Sequence, residues 1–515
     1  VENSLMPSAG PAMGLGPPKV QVTPAPTAVP AMAEADTTTA ASASPSCFMH
    51  LYGIANLQFL LHRASRAHAG HVCAHGVPAC IAVLSGKVQD AFPYGLVRRL
   101  WGFCSCCYAL RLCPALTIRI LPVFIMVFLI AFAAPLLALW LWYPLFRAQR
   151  RAFWWLLGIS TLLIISPALL ILAMRNEWLP YEQLAPLQLI CGGLFAAMGM
   201  GLVWALVRDV LALILRLARG HGGARPVLAP RNTCVVLGIS LLLCGYGLIQ
   251  GTRVPEVREH RIALPNLPEA LEGLRIGVLA DIHATPVNNA EYVQALVERL
   301  NAAQPDIVVL PGDMVDGDAA TQSKNIAPLA GLKAPLGVWA APGNHEYYSG
   351  FDAWAKVYGQ QGMHYLVNQA HVMDVRGHRL AISGVGDPAY GRLSRQNADP
   401  SKPEGVPPDI EAVAAQAKAA GAEFHILLGH QPKMARSYAP HGVDLQIAGH
   451  THGGHIKGMD QWLVAPANDG FVSGLYEVGP MRLFVSNGAG LWPGFAVRLG
   501  VPSSIDVLVL ERASL

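Results

Sequence analysis

Five short polar motifs in the second half of this 515-residue chain each follow a short apolar run. Runs of this length and composition are typical of buried β-strands, so each motif is predicted to lie where a strand ends. Because strands are rigid and the loops after them carry functional side chains, the pattern predicts one scaffold with polar groups at its strand ends. The motifs, each with its preceding apolar run in parentheses, are DIH at 281–283 (274–280), GD at 312–313 (306–310), GNHE at 343–346 (336–341), GH at 429–430 (425–428) and GHTH at 449–452 (445–448).

The side chains of these motifs are of the types that bind divalent metal ions. Carboxylate and amide oxygens and imidazole nitrogens are the ligands that hard and borderline metals prefer. Asp281 and His283 are two residues apart, so on an extended segment they point to the same side and can share one ion. A lone Asp or His at a strand end is more often a structural polar group, but five motifs in one order make a chance arrangement improbable.

The ordered motif set resembles that of the calcineurin-like metallophosphoesterase superfamily, in its membrane-anchored bacterial form, over roughly residues 255–515. The resemblance implies an α/β four-layer sandwich with two mixed sheets between helices, and helical patterns at 291–302 and 410–420 agree with it. It also implies a centre for two divalent ions, whether manganese, zinc, iron or magnesium. The implied ligands are Asp281, His283 and His452 for the first metal, Asn344, His430 and His450 for the second, and Asp313 bridging both.

A phosphoester-cleaving reaction is what the resemblance implies for this site. Two metals roughly 3.5–4 Å apart hold the phosphoryl oxygens and lower the pKa of a water, which attacks phosphorus in line. His345 would bind no metal and would protonate the leaving oxygen or hold the phosphate, with an orienting role as the alternative. His455 would either contact substrate or support the ligands. The bond cleaved would be a phosphomonoester, a phosphodiester or a pyrophosphate.

The sequence departs from the patterns of two well-known subfamilies of this superfamily. In the run GDMVDGD, Gly317 stands where protein Ser/Thr phosphatases carry a phosphate-binding Arg. Asp316 stands where purple acid phosphatases carry an iron-binding Tyr, which argues against a tyrosinate–iron site. The stretch 485–490, followed by Pro493 and Arg498, is similar to the closing strand of membrane-linked bacterial members.

Membrane-spanning helices are predicted for the middle of the chain. The composition, with 53% hydrophobic and 14% charged residues, is too apolar for an ordinary soluble protein. Four apolar runs contain the excess of hydrophobic residues, and each is near the roughly 20 residues that span a bilayer as a helix. For any single run, a buried core helix is the alternative. The runs are 121–146, 153–174, 187–207 and 234–249. We therefore expect about four transmembrane helices in a domain at 115–250, followed by the metallophosphoesterase domain at 251–515.

Arginines in the connections between these runs predict the orientation. The first connection contains Arg147, Arg150 and Arg151, and the third contains several more between 208 and 231, whereas the second has a single Arg and two Glu. Positive connections stay in the cytoplasm, so the last helix is expected to leave it and the catalytic domain to lie outside, at the inner or plasma membrane. Arginines upstream of the first run oppose this orientation.

Residues 1–114 do not resemble a folded domain. Pro, Ala, Ser and Thr dominate the first 46 positions, which predicts a disordered extension. Seven of the ten cysteines lie between 47 and 113, but their spacing fits no standard zinc pattern. The alternative is a doubtful extension upstream of the natural start of translation, for example at Met126.

Partners follow from the anchor and the implied reaction. A phosphoester substrate is expected, with lipid-linked molecules favoured by the membrane tether. A net charge near +4 gives no indication of nucleic-acid binding. The competing function is a non-catalytic membrane receptor or sensor that keeps the fold. A transporter is disfavoured, because the spans hold few charged residues apart from Arg208 and Asp209.

Overall fold

The computed structural model describes residues 132–175, 178–391 and 404–513. The predictions for residues 1–114, and for 121–131 of the first apolar run, lie outside this part of the chain. Within it, an α-helical region precedes an α/β domain. The helices of the first region are α1 (Phe132–Phe146), α2 (Arg150–Arg175), α3 (Tyr181–Arg219) and α4 (Pro230–Thr252).

Three of these helices, α2, α3 and α4, are long and apolar enough to cross a membrane. They contain the predicted runs 153–174, 187–207 and 234–249. Small residues bring α3 and α4 together, since a β-carbon on Gly201 would lie 2.6 Å from Leu237 Cδ2. The outward faces are apolar as well, with Trp155 and Leu242 largely exposed. Helices that are hydrophobic all round are typical of membrane spans.

Helix α3 is longer than its apolar run predicts, with 39 residues. The run stops at Val207 because Arg208 and Asp209 interrupt the hydrophobic pattern. In the structure Arg208 is buried, its Nε lies 2.8 Å from Asp209 Oδ1, and its Nη1 donates to Leu141 O of α1 at 2.8 Å. Because both charges find partners within the bundle, the helix continues through them to Arg219.

The α/β domain contains two mixed six-stranded sheets in the described residues. The first has the order β1-β12-β2-β3-β4-β5 and the second β10-β11-β9-β8-β7-β6. In the first, β12 is antiparallel to β2 and the other pairs are parallel; in the second, the two outer pairs are antiparallel. The strands are β1 (Val257–Leu264), β2 (Arg275–Val278), β3 (Ile307–Leu310), β4 (Val338–Ala340), β5 (His364–Tyr365), β6 (Gln369–Val375), β7 (His378–Gly384), β8 (Phe424–Leu428), β9 (Leu445–Ala448), β10 (Gly474–Val478), β11 (Met481–Val485) and β12 (Ile505–Arg512).

Helices join and cover these strands. Asn289, Asp318 and Asp409 begin three of them, each with a side-chain oxygen that accepts a backbone N–H of the first turn. The structure confirms the strands expected before the five motifs and the two expected helices. The helices are α5 (Ala290–Ala302), α6 (Ala319–Ile326), α7 (Asn344–Ser349), α8 (Phe351–Gln360), α9 (Ile410–Ala419), α10 (Ala435–Tyr438) and α11 (Ala465–Ala467).

Strand β3 shows why the runs before the motifs are apolar throughout. Ile307 and Val309 pack in the core between the two sheets, together with residues such as Ile426 of β8. Val308 and Leu310 point to the opposite face, where they pack with α5 and α8. Because both faces are buried, every position of the strand is hydrophobic.

The apolar helices α3 and α4 pack directly against the loops of the α/β domain. The backbone N–H of Arg498 donates to Gly247 O of α4 at 3.0 Å. A β-carbon on Gly251 would lie 2.2 Å from Ala496 O, so the loop fits only against glycine. At the start of α3, the ring of Tyr181 lies 3.1 Å from the position that a β-carbon on Gly317 would take. The ends of α3 and α4 therefore contact the segments beside the motifs.

Candidate metal centre

The five motifs converge at one edge of the α/β domain. Strands β2, β3 and β4 are parallel neighbours in one sheet, and β8 and β9 in the other, so their carboxyl ends meet. Ligand atoms that lie within 4.8 Å of one another form three groups in the described residues, and two of these groups consist entirely of predicted metal ligands. These two groups are Asp281, His283 and His452, and Asp313, His430 and His450. Asn344 joins the second, since its Oδ1 lies 2.8 Å from His450 Nδ1.

The backbone at the motifs is turned rather than extended. Asp281 and His283 have φ angles of 51° and 45°, so the expectation of an extended segment is wrong. Asp313, His450 and His452 also have positive φ angles. Such left-handed conformations are unfavourable for residues other than glycine and are concentrated at functional sites. The chain turns after β2 to follow the next motif, with the N–H of His283 donating to Asp313 O at 3.0 Å.

Two motif glycines allow the loops to approach the carboxylates. A β-carbon on Gly343 would lie 2.2 Å from Asp313 Oδ1, and one on Gly449 would lie 2.3 Å from Asp281 Oδ2. Contacts this short would displace the carboxylate. The glycines of GNHE and GHTH are therefore required by the close packing of the site.

Atoms of the first group have the spacing of ligands around one ion. His283 Nε2 lies 3.1 Å from His452 Nε2 and 3.9 Å from Asp313 Oδ2. His452 Nε2 lies 3.8 Å from Asp281 Oδ1. Nitrogen and oxygen ligands at about 2.1 Å from a tetrahedral ion are about 3–3.5 Å apart, close to these distances. The donors fit a divalent metal.

Asp313 lies between the two groups. Its Oδ2 is 3.9 Å from His283 Nε2 on one side and 3.0 Å from His430 Nε2 on the other. Its Oδ1 accepts the backbone N–H of His345 at 2.8 Å, which fixes the carboxylate. One oxygen within reach of both groups is the arrangement that a bridging ligand needs.

One buried polar atom in this centre supports a cation-binding role. Asp281 Oδ2 makes no hydrogen bond to any described residue. Buried polar atoms without a partner are rare and point to an ion or water. Burial lowers the pKa of His430, but Asp313 and Asp281 outweigh it and raise the pKa to about 10. The carboxylates therefore favour positive charge at this position.

The other imidazoles are suited to act as neutral ligands. Burial lowers the pKa of His450 to about 3, and the charge of His430 adds to the effect. Burial, and then His455 and His283, lower the pKa of His452 well below its usual value. The Nδ1–H of His430 donates to Pro311 O at 3.0 Å, so Nε2 is the nitrogen that faces Asp313 and could bind an ion after losing its proton.

His345 lies beside the first group and is held by a carboxylate. Its Nδ1 is hydrogen-bonded to Asp316 Oδ1, and Asp316 Oδ2 lies 3.1 Å from His283 Nδ1. Burial lowers the pKa of His345, but the charges of Asp316 and Asp313 outweigh it and raise the pKa to about 9. The ring is half-buried and lies 6.1 Å from the ring of Trp492. The two carboxylates thus favour the protonated form of His345, and its side chain is partly exposed.

Three further residues shape the centre, and the motif analysis assigned none of them a role here. Asp316 joins His283 to His345. Glu346 accepts the backbone N–H of Gly343 at 2.7 Å and that of Asp313 at 3.0 Å, so it joins two motif loops. The guanidinium of buried Arg498 donates to His452 O, Asn487 O and Gly490 O. The sequence signals were the second Asp of GDMVDGD, the Glu of GNHE and the Arg after the closing strand.

His455 lies next to the first group. Its ring stacks on that of His452, with centroids 4.9 Å apart, and contacts Phe495 on the other side. It is buried. Of the two roles predicted for it, this position favours support of His452 over contact with substrate.

The fold and the site together are those of an α/β protein with candidate metal-ligand groups at its strand ends. The sequence profile of the calcineurin-like phosphoesterases matches residues 274–454, which contain all five motifs. The chain belongs to the metallophosphoesterase family.

Relatives of the chain include both bacterial and animal proteins. An uncharacterised metallophosphoesterase of Campylobacter jejuni is 29% identical over 355 residues, covering 68% of this chain and 88% of that protein. An uncharacterised metallophosphoesterase of Helicobacter pylori is 33% identical over 279 residues, covering 53% of this chain and 70% of that protein. A transmembrane protein with a metallophosphoesterase domain of Danio rerio is 30% identical over 291 residues, covering 55% and 63%, so this chain spans less than two thirds of that relative. With the three apolar helices, this relative supports membrane association.

Proposed function

We propose that the chain is a membrane-anchored hydrolase that uses two divalent metal ions to cleave a phosphomonoester, phosphodiester or pyrophosphate bond. The convergence of the motif side chains into two joined groups, with the buried Asp281 Oδ2 left unpartnered, is the observation that carries this proposal. Family membership supports the class of reaction. The convergence favours catalysis over the alternative of a receptor, which would not need a complete ligand set.

We assign the ligands in the proposal as the motifs suggest. Bound there, manganese, zinc, iron or magnesium would neutralise phosphoryl charge and activate a water as the nucleophile. The assignments are Asp281, His283 and His452 for one ion, Asn344, His430 and His450 for the other, and Asp313 for both.

His345 acts as the proton donor in this proposal. Its raised pKa keeps the imidazole protonated at neutral pH, and its half-buried ring is accessible from the mouth of the site. The hydrogen bond from Nδ1 to Asp316 leaves Nε2–H free to donate to the leaving oxygen. The ring of Trp492 lies 6.1 Å from that of His345.

The role of Asp316 gives a prediction about pH dependence. A proton donor works below its pKa and fails above it, so turnover should fall as pH rises through the pKa of His345, which the charges of Asp316 and Asp313 raise. Asp316→Asn removes the negative charge that raises this pKa. The alkaline limb of the pH–rate profile should then move down by about one to three pH units. A limb that stays in place, measured with saturating metal, would show that Asp316 does not set the protonation of His345.

The architecture that we propose around this centre has two domains and an N-terminal extension. Residues 115–250 form a membrane domain of about four helices. Residues 251–515 form a four-layer sandwich, with α5 and α8 packed on the outer face of one sheet and α9 on that of the other. The proposed extension is residues 1–114, which lie outside the part of the chain that the structure describes.

The substrate that we propose is linked to a lipid. Tyr181, at the start of α3, contacts Gly317, the neighbour of Asp316. Trp492 lies beside His345, and the segment that follows it packs on α4 through Arg498 and Gly247. The mouth of the site is therefore built next to the ends of the membrane helices. A substrate held in the bilayer by its acyl chains would present its phosphoester at this height.

We propose that the catalytic domain lies outside the cytoplasm, at the inner or plasma membrane. The contact of Tyr181 with Gly317 puts the short connection 178–180 on the same side as this domain. The connections 147–149 and 220–229, which carry or adjoin the arginines, lie at the other end of the helices. The positive-inside rule assigns that end to the cytoplasm.

Reporter fusions test this orientation. In a bacterial host, alkaline phosphatase fused after Leu515 should be active, because it folds only outside the cytoplasm. A fluorescent protein that matures only in the cytoplasm should be dark at the same position and bright when inserted at Gly222. The reverse pattern would overturn the orientation and leave the proposed chemistry untouched.

Hydrolysis by the full chain in lipid nanodiscs is the experiment that tests the function. We expect manganese-dependent release of product from at least one of three substrate classes, phosphomonoester, phosphodiester or pyrophosphate, with a chelator abolishing it. Each substrate should be offered in a lipid-linked and a water-soluble form, and the lipid-linked form should be cleaved faster. A folded, metal-loaded chain that cleaves none of them would favour the receptor alternative.

A further inference from the structure

A cavity of about 720 Å³ opens at the arginine-rich end of the helical bundle. Its walls come from the end of α1, the start of α2, the end of α3 and the turn before α4. Arg216, in its wall, lies 35 residues along α3 from Tyr181, which is roughly 50 Å on a straight helix. The cavity is thus separate from the metal centre.

Two arginines make this cavity cationic. Arg147 and Arg216 both line it, and neither forms an ion pair with a described residue. Arg150 adds a third positive charge, with its guanidinium 5.2 Å from the ring centre of Phe146, another wall residue. No carboxylate occurs among the wall residues that the structure describes.

The carboxylate of Asp209 lies near the cavity but does not neutralise Arg147 and Arg216. The carboxylate of Asp209 accepts hydrogen bonds from Arg208 Nε at 2.8 Å, from Trp140 Nε1 at 2.8 Å and from the hydroxyl of Tyr143 at 3.0 Å. Its charge is therefore compensated inside the bundle by Arg208. The cavity keeps an excess of positive charge, which an anion can compensate.

The rest of the wall is apolar and continues into the lipid-facing surface. Leu139 lies eight residues before Arg147, which places it about 12 Å deeper along α1. Tyr143, Phe153 and Trp154 line the space between, and Leu139 and Trp154 are also exposed on the outside of the bundle. The cavity thus runs from a charged mouth to an apolar wall that is open to acyl chains.

We propose that this cavity binds an anionic phospholipid of the leaflet at the arginine-rich end. The phosphate lies between Arg147 and Arg216, and the acyl chains lie along Leu139 and Trp154. Basic pockets between membrane helices at this level are suited to anionic headgroups. The proposal depends on membrane association of the chain and is independent of the proposed hydrolysis.

Native mass spectrometry of the delipidated full chain in detergent tests this site, with phosphatidylglycerol and phosphatidylcholine of identical acyl chains as probes. Each arginine near an anionic headgroup contributes about fivefold in affinity. With two arginines, phosphatidylglycerol should therefore bind on the order of 25-fold more tightly than phosphatidylcholine. Arg147→Gln with Arg216→Gln should abolish that preference. Arg147→Lys with Arg216→Lys should retain most of it.

A matched pair of arginines outside the cavity serves as the control. Arg219→Gln with Arg225→Gln removes the same charge from the same end of the bundle and should leave the preference intact. If the first double variant does not fold, each single variant should lose about fivefold. Equal binding of the two lipids by the wild type, an equal loss in the control pair, or displacement of the lipid by free glycerol phosphate would each overturn the proposal.

Discussion

Replacing Asp313 with Asn is expected to remove metal and activity together. Asp313 Oδ2 lies between the two groups of ligands, 3.0 Å from His430 Nε2 and 3.9 Å from His283 Nε2. Asn keeps the shape of the side chain but lacks the charge that would bind two cations. The loss of transition-state stabilisation is several kcal/mol, so turnover should fall by on the order of 10³-fold or more. Elemental analysis should find fewer than two metals per chain.

An exposed carboxylate provides the matched control for this change. Asp352→Asn makes the same chemical substitution on the solvent-facing side of α8 and should leave both metal content and turnover unchanged. Both variants should keep the melting temperature of the metal-free wild type within a few degrees, which separates loss of the site from loss of the fold. Full turnover with two bound metals in Asp313→Asn would show that this carboxylate is not the bridging ligand.

His345→Ala is expected to keep both metals and lose turnover. His345 is hydrogen-bonded to Asp316 beside the first group of ligands, and we propose that it protonates the leaving oxygen. General acid catalysis contributes on the order of 10²–10⁴-fold, which sets the expected loss. The loss should be much smaller for an aryl phosphate, because its leaving oxygen needs little protonation. The measurement compares turnover of the variant and the wild type on an alkyl and an aryl ester.

His378 gives the control for this second variant. It is also a histidine beside a carboxylate, with Nδ1 2.7 Å from Glu423 Oε2, but it lies at the opposite end of the strands from the motifs. His378→Ala should leave turnover unchanged with both esters. Equal losses for both esters in His345→Ala would reject the acid role and indicate phosphate positioning. Release of a metal in that variant would instead place His345 among the ligands.

The sequence predicted the strand ends because burial of both faces leaves a clear signal. Strand β3 is apolar at every position, since Ile307 and Val309 face one core while Val308 and Leu310 face another. The polar residue that follows such a strand is conspicuous. The grouping of the motif side chains into two ligand sets was instead implied by the resemblance to the metallophosphoesterases.

Long-range contacts explain what the sequence did not predict. Helix α3 continues through Arg208 because the guanidinium reaches Leu141 O, 67 residues away in the chain. Glu346 and Arg498 act on backbone groups of other loops, and a motif does not show which backbone it will meet. The left-handed turn at Asp281 likewise depends on a hydrogen bond to Gly312, in the next motif.

The metal content of the purified full chain tests the central claim most directly. After loading with manganese and removal of the excess, elemental analysis should find about two ions per folded chain, as two joined ligand groups require. A chain that is folded by circular dichroism and holds no manganese, zinc, iron or magnesium would contradict the account.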